Sequence, residues 1–393
     1  PMEMRKMMKR IFLIVLDSFG IGAAPDAADF GDENTNTLGS VVKSEKFFCP
    51  NLQKLGLFNI EGVTCAAPVE RPAGNYGRLR EKSRGKDTII GHWELAGIIS
   101  KKAMPVFPDG FPAGFVEEFE KRTGRKCICN KPYSGTEVIK KYGEEHLKTG
   151  DLILYTSADS VCQIAANEAV IPVEQLYSYC ETARELLAGD LAVGRVIARP
   201  FTGTSADNFT RTPNRHDFAL SPPSPTMLDI LESHGKDVIS IGKIHDIFNG
   251  KGITESYKTT GNADGMEKIS KISERDFSGL CFLNLVDFDM LYGHRRDVDG
   301  YAQALTDFDR FLTDFMQDMK ADDLLMITAD HGCDPAYMKT TDHTREEVPV
   351  LMYSKSVRGR VNYGIRDGFT CVANTVCRQL GLESDFYGGA LEL

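Results

Sequence analysis

Carboxylates and imidazoles gather at three places where an apolar run of this chain ends. These are Val15-Leu16-Asp17-Ser18, Leu285-Val286-Asp287-Phe288-Asp289 with His294 behind it, and Thr328-Ala329-Asp330-His331-Gly332. A fourth group, Thr341-Asp342-His343-Thr344, follows closely. Carboxylate oxygen and neutral imidazole nitrogen are common ligands of divalent metals, and this supply fits two ions such as Mn²⁺ or Zn²⁺. One Asp after a strand also serves as a helix cap or turn residue, and one His as an ordinary polar group. Four clusters on remote segments favour the metal reading, with Asp287, Asp334 and Asp342 in supporting or structural roles. A pair of metals suits phosphoryl transfer, because it neutralises the phosphoryl oxygens and stabilises both the attacking and the leaving oxygen. A nucleophile would complete such a site. In Arg84-Gly85-Lys86-Asp87-Thr88-Ile89-Ile90-Gly91-His92-Trp93-Glu94, Thr88 follows a Gly-Lys turn where a helix can start. Free N–H groups there favour phosphate, and metal coordination lowers a hydroxyl pKa. Taken alone, the same stretch is simply a helix N-terminus.

These segments need a scaffold that brings them together. Short apolar runs at 11–16, 152–155, 238–241, 281–286 and 324–328 read as buried parallel strands. Between them lie helical patterns, the clearest over 301–319, where Leu305, Phe308, Leu312, Phe315 and Met319 recur at helical spacing as a core stripe. Strands alternating with helices predict an α/β fold with a mostly parallel sheet, in which ligands collect beyond the carboxyl ends of the strands. Two Pro-rich stretches, 104–112 and 221–225, read as linkers. They suggest a core domain built from 1–100 and 221–393, with a smaller domain, 101–220, inserted between.

Other readings fail. Gly20-Ile21-Gly22-Ala23-Ala24-Pro25 carries Pro where the dinucleotide fingerprint needs Gly or Ala. Gly85-Lys86 lacks the earlier Gly of a P-loop, and no GxSxG elbow exists. With 46 Lys and Arg against 56 Asp and Glu, the net charge is −10, which argues against nucleic acid and anionic lipid as partners. The basic stretch Met4-Arg5-Lys6-Met7-Met8-Lys9-Arg10 precedes six apolar residues cut off by Asp17, too few for a signal peptide core. Ten scattered cysteines without a CxxC favour reduced thiols and a cytoplasmic protein.

Several strings together closely resemble the prokaryotic phosphopentomutase family of the alkaline phosphatase superfamily. They are Val15 to Gly22, Gly85-Lys86-Asp87-Thr88 with Gly91-His92-Trp93-Glu94, Asn284 to Asp289, Gly293-His294-Arg295-Arg296 and Thr328 to Gly332. Tyr155 to Ser160, Gly194 to Phe201 and Phe209 to Asp217 extend the likeness almost end to end. The resemblance implies an alkaline-phosphatase-like core with a mostly parallel sheet flanked by helices, and an inserted α/β cap. It implies that Asp17, Asp330 and His331, with the nucleophile, hold one Mn²⁺, and that Asp289, His294 and His343 hold a second. It implies that Thr88 carries the transferable phosphate, and that Asp159, Arg195, Arg211 and Lys243 line the pentose phosphate pocket. From spacing alone, each of those cations is equally a solvated surface group.

The implied activity interconverts ribose 1-phosphate, or 2-deoxyribose 1-phosphate, with the 5-phosphate through phosphothreonine and a bisphosphate intermediate. A pentose or hexose bisphosphate is the implied activator, and the expected assembly is a monomer or weak homo-oligomer. Two departures stand out. Ile90 is bulkier than the small residue usual two positions after the nucleophile, and Met338-Lys339-Thr340-Thr341 lacks the Gly expected before Asp342-His343 and is one residue longer. The alternatives are a metal-dependent phosphatase or phosphodiesterase with water as acceptor, and a non-catalytic sugar-phosphate or metal-binding protein.

Overall fold

The structure is a computed structural model and describes residues 7–357 and 360–393. The Met4-Arg5-Lys6 part of the basic segment lies outside the described residues. By internal contacts the chain forms two compact units, Pro1–Ala103 with Ser221–Leu393, and Met104–Leu220. In chain order, β1 (Arg10–Leu16) and β2 (Asn75–Arg80) belong to the first unit. The inserted unit holds β3 (Cys127–Pro132), β4 (Leu152–Thr156), β5 (Val161–Asn167), β6 (Arg195–Thr202), β7 (Thr210–Arg211) and β8 (His216–Ala219). The first unit resumes with β9 (Asp237–Ile241), β10 (Glu255–Tyr257), β11 (Gly279–Leu285), β12 (Asp323–Thr328), β13 (Val348–Tyr353) and β14 (Asn362–Asp367).

The first unit is an eight-stranded sheet in the order β10-β9-β11-β1-β12-β13-β2-β14. β1 sits at its centre with parallel neighbours β11 and β12, in registers that pair Leu16 with Leu285 and Val15 with Thr328. The carboxyl ends of these three strands therefore coincide, and each ends one or a few residues before an acidic cluster. Every residue of β1, β11 and β12 is buried, as expected of a sheet covered on both faces. Phe12 and Phe282 reveal the two layers, because the register pairs Phe12 with Cys281 and Phe282 with Leu13, so the two rings point to opposite sides. Phe12 packs edge-on against Phe315 of the helix Val298–Asp318, whereas Phe282 meets His92 of the helix Thr88–Leu95. The predicted stripe on the long helix is buried as expected at Leu305, Phe308, Leu312 and Phe315, and Met319, just past the helix end, is buried too.

β13 runs against both of its neighbours. No helix lies in the 329–347 connection that precedes it, so the chain cannot cross over and must return antiparallel. The inserted unit departs further from the parallel expectation. β4 is parallel to β3 but antiparallel to β5, since only a four-residue turn joins β4 to β5. Alternate residues of this sheet feed two clusters. Leu152, Leu154, Cys162 and Ile164 pack with Phe115, Phe119 and Leu176, while Ile153, Tyr155 and Ala165 pack with Val138, Ile139 and Phe201. The Pro-rich stretch after residue 103 is more than a linker, because Phe111 is buried in the first of these clusters and Phe107 packs on it. All ten cysteines are free. Among the described residues no helix is long and apolar enough to cross a membrane.

Candidate metal centre and nucleophile

Asp17 follows β1 directly, and Asp330 and His331 follow β12 after one residue, which brings three side chains from opposite ends of the sequence together. His331 Nε2 lies 3.2 Å from Asp17 Oδ1 and 3.1 Å from Asp330 Oδ2. A second group forms beside it. Asp289 sits in the π-helical turn Phe288–Gly293 after β11, with His343 Nε2 at 3.2 Å from its Oδ1 and His294 Nε2 at 3.3 Å from its Oδ2. The His331 and His343 rings stack with centroids 3.8 Å apart, so the two groups adjoin. Each can supply three ligands to a cation.

The imidazole tautomers bear on what the centre is built to hold. His331 Nδ1 donates to Gly332 O, His343 Nδ1 to Lys86 O and His294 Nδ1 to Thr341 O, at 2.9, 2.8 and 2.6 Å. A carbonyl can only accept, so each Nδ1 carries the proton and each neutral ring turns an Nε2 lone pair towards carboxylate oxygens. Lone pairs facing lone pairs repel unless a positive charge lies between them. Asp17 Oδ1, Asp289 Oδ1 and Asp330 Oδ2 are buried without a hydrogen bond among the described residues, which is the same demand seen from the carboxylate side. The donor set, Asp and His with no sulfur, suits Mn²⁺ or Zn²⁺.

Without a cation, protons meet part of that demand. Burial and the facing carboxylates of Asp330 and Asp289 push the Asp17 carboxyl up. Burial alone would lower His331, but Asp330 and Asp17 hold it well above the ordinary imidazole value. Burial likewise works against ionised Asp330 and Asp289, yet His331 keeps the first low and His343 the second.

Thr88 is the first residue of an eight-residue helix, and its Oγ1 is 3.1 Å from His331 Nε2. The Asp87 side chain caps this helix by accepting from Ile90 N, so one of the N–H groups that would face a phosphate is already taken. Ile90 is buried and packs against Gly85, the residue before Lys86, so its side chain fills the turn that leads into Thr88. Asp287, Asp334 and Asp342 cap backbone N–H groups, of Asn262, of Asn36 and Ala336, and of His343 respectively.

The four sugar-phosphate candidates fall in both units. Asp159 is exposed in the turn before β5, and Arg195 opens β6 with its guanidinium 3.1 Å from Asp217. Arg211 pairs opposite Phe201, six residues further along β6 and so about 20 Å away along the backbone. Its Nε is buried without a hydrogen bond among the described residues, and its guanidinium occupies the space a Gly135 side chain would need. Asp159, Arg195 and Arg211 belong to the inserted unit. Lys243 follows β9 in the first unit, with Nζ 3.1 Å from Met290 Sδ, next to Asp289.

Sequence reading left several positioning groups unassigned. His92 donates from Nδ1 to Thr88 O at 2.8 Å and lies 3.3 Å from Asp330 Oδ2, while Asn284 Nδ2 bridges Asp17 Oδ2 and His92 Nε2. The i, i+4 spacing of Thr88 and His92 was the available signal. Glu94 is fully buried and accepts from the Lys82, Ser83 and Phe369 backbones and the Ser83 hydroxyl. Arg345, also buried, reaches Asp26, Glu81 and Gly85 O. Together they hold the loop that ends at Thr88. Nothing local in the sequence announces the Arg345 contacts, which join residues at least 260 positions apart.

Behind this loop Glu346 takes hydrogen bonds from Thr37, Gly22 and Thr344, yet burial and nearby Asp334 raise its carboxyl to about 7. A folded pKa above the unfolded 4.5 contributes stability that is complete below pH 4.5 and lost as pH rises through 7. In chelator-treated protein, urea unfolding of the wild type should therefore lose about 3 kcal/mol relative to Glu346→Gln across that window. A stability difference that stays constant from pH 5 to 8 would exclude this titration.

Comparison with known proteins agrees with this geometry. Residues 9–384 match the model of the Metalloenzyme superfamily. The phosphopentomutase of Lachnoclostridium phytofermentans is 56% identical over 382 residues, 97% of either chain. That of Acetivibrio thermocellus is 54% identical, covering 97% of this chain and 98% of its own, and that of Clostridioides difficile is 49% identical over 98% and 99%. In fold, the phosphoglycerate mutase of Leishmania mexicana, solved at low cobalt concentration, superimposes with a TM-score of 0.51 at 13% identity over 98% of each chain. The sequence match over nearly the whole length, on a core that sets one threonine against one of two adjoining Asp/His groups, means that this chain belongs to the phosphopentomutase family of the Metalloenzyme superfamily.

Proposed function

We propose that this chain is a phosphopentomutase that moves a phosphoryl group between O1 and O5 of ribose or 2-deoxyribose through phosphorylated Thr88. The observation that carries the proposal is the Thr88 hydroxyl, set at a helix start 3.1 Å from His331 Nε2, in contact with one of two adjoining Asp/His groups. Asp17, Asp330 and His331 would hold one Mn²⁺ beside Thr88, and Asp289, His294 and His343 a second. When bound, such a pair neutralises phosphoryl oxygens and favours a deprotonated threonine oxygen.

Thr88 begins the cycle phosphorylated. The free O5 hydroxyl of ribose 1-phosphate attacks that phosphorus, the P–O bond to Thr88 breaks, and the hydroxyl proton passes to the Thr88 oxygen. The product is ribose 1,5-bisphosphate. After it reorients, the Thr88 oxygen attacks the phosphorus on O1, and ribose 5-phosphate leaves with the proton on its anomeric oxygen. The sugar's second phosphate needs a cation away from Thr88, a role we assign to one of Arg195, Arg211 and Lys243, since Arg195 and Arg211 stand too far apart along β6 to share it, with Asp159 accepting from sugar hydroxyls. An added pentose or hexose bisphosphate primes Thr88. Ten free thiols and the absence of a membrane-crossing helix among the described residues fit action in the cytoplasm.

Incubation of the enzyme with ribose 1-phosphate, Mn²⁺ and catalytic bisphosphate tests this reading. Ribose 5-phosphate should accumulate with little inorganic phosphate. Release of phosphate in step with substrate loss would instead make the chain a phosphatase.

A further inference from the structure

The segment that delivers His343 is held in an unusual way. Residues 338–342 include no buried side chain, and Met338 is 78% exposed, so apolar packing does not fix this stretch. Its three consecutive carbonyls are nevertheless all taken by the turn that carries His294. Thr340 O accepts from Arg296 Nε at 2.9 Å and also from Nη2, Thr341 O accepts from His294 Nδ1 at 2.6 Å, and Asp342 O accepts from Arg296 Nη2 at 2.8 Å. Arg296 Nη1 completes the fork on Gly293 O at 2.9 Å, the carbonyl next to His294 in sequence, and touches Cys333 Sγ at 3.2 Å.

To reach back in this way Arg296 adopts φ = 53°, a left-handed conformation that a non-glycine residue holds only where its surroundings require it. We infer that Arg296 is a positioning residue for the second Asp/His group. Its guanidinium fork locks the His343 segment to the His294 turn, so that both imidazoles meet Asp289 in one geometry.

The inference rests on the two-ion reading above and concerns affinity for the ion held by Asp289, His294 and His343. The guanidinium touches no ligand atom. It fixes the backbone on both sides of the site, a supporting role whose loss commonly weakens metal binding by about 10–100-fold. Lysine keeps the charge but cannot span Gly293 O, Thr340 O and Asp342 O together, so charge alone does not restore the lock.

Equilibrium dialysis of the full chain against Mn²⁺ reads this directly, without any assay of turnover. The wild type should take up two equivalents. Arg296→Ala and Arg296→Lys should keep one at wild-type affinity and bind the other about 10–100-fold more weakly. That pattern should match His343→Ala, which removes a ligand of the same group. In chelated protein, trypsin should cut after Lys339 faster in either Arg296 variant than in the wild type. If the alanine variant fails to fold, the lysine variant carries both measurements. Wild-type uptake of both ions by Arg296→Lys, or equal weakening of both ions, overturns the inference while leaving the mutase reading intact. A wild-type chain that takes up a single equivalent overturns the two-ion reading and this inference with it.

Discussion

Thr88→Ala enzyme should lose at least about 10⁴-fold in mutase turnover while remaining folded. The alanine side chain removes the only atom that the proposed cycle phosphorylates, and neither half-reaction has a substitute path. Folding should survive because Thr88 is only half-buried and helix entry is secured elsewhere, by the Asp87 cap on Ile90 N and by Glu94 and Arg345 gripping the preceding loop. Thr88→Ser restores a hydroxyl at the same place and should recover most of the rate. Mass spectrometry after treatment with a pentose bisphosphate should find phosphate on the peptide containing Thr88 in the wild type and none in Thr88→Ala. Full turnover by the alanine enzyme, or phosphate on another residue, would remove Thr88 from the mechanism.

Gly91→Ala should impair the enzyme nearly as visibly, although residue 91 carries no chemistry. On propensity alone, alanine in a helix interior is favoured over glycine by about 1 kcal/mol. Here a Cβ on residue 91 would lie 2.3 Å from Asp330 O and 2.9 Å from its carbonyl carbon. Asp330 cannot retreat, since it is fully buried and its Oδ1 accepts from the Ser18 and His331 N–H groups. The Thr88 helix must instead move away by about 1 Å to reach an ordinary contact. Overpacking of this kind costs about 1–3 kcal/mol, which outweighs the gain in propensity. The displacement also spoils the 3.1 Å approach of Thr88 to His331 and the His92 bond to Thr88 O. A misplacement of this size lowers kcat by about 10²-fold. Steady-state kinetics and urea unfolding should show both losses together, and a wild-type kcat in Gly91→Ala would refute the close-approach argument.

The two candidate metal groups were readable because their residues are local signals. Asp17, Asp289 and Asp330 each follow a short apolar run by one to four residues, and such runs in a parallel sheet end on the same side. That Thr88 starts a helix was readable for a similar reason, since it follows a Gly-Lys turn. The parts that escaped share a different property. Arg345 meets Glu81 and Asp26, and Asn284 meets Asp17 and His92, across separations of roughly 190 to 320 residues. No periodicity or spacing records such pairings, because they exist only after the strands align. The antiparallel return of β13 and the mixed sheet of the inserted unit follow from connection length, a feature visible in the sequence only once strand ends are known.

By itself, then, the amino-acid order determined which side chains are candidates to bind a cation, which hydroxyl is the candidate to take a phosphate, and that alternating strands and helices would carry them. These are matters of residue type and near-neighbour spacing. Tertiary structure alone decided that β11 and β12 flank β1, that Gly91 lets the Thr88 helix lie against Asp330, and that Arg296 ties the His343 segment to the His294 turn. The reason is physical: Coulomb repulsion, steric exclusion and hydrogen bonding act over a few ångströms of space, whatever the number of residues between the partners.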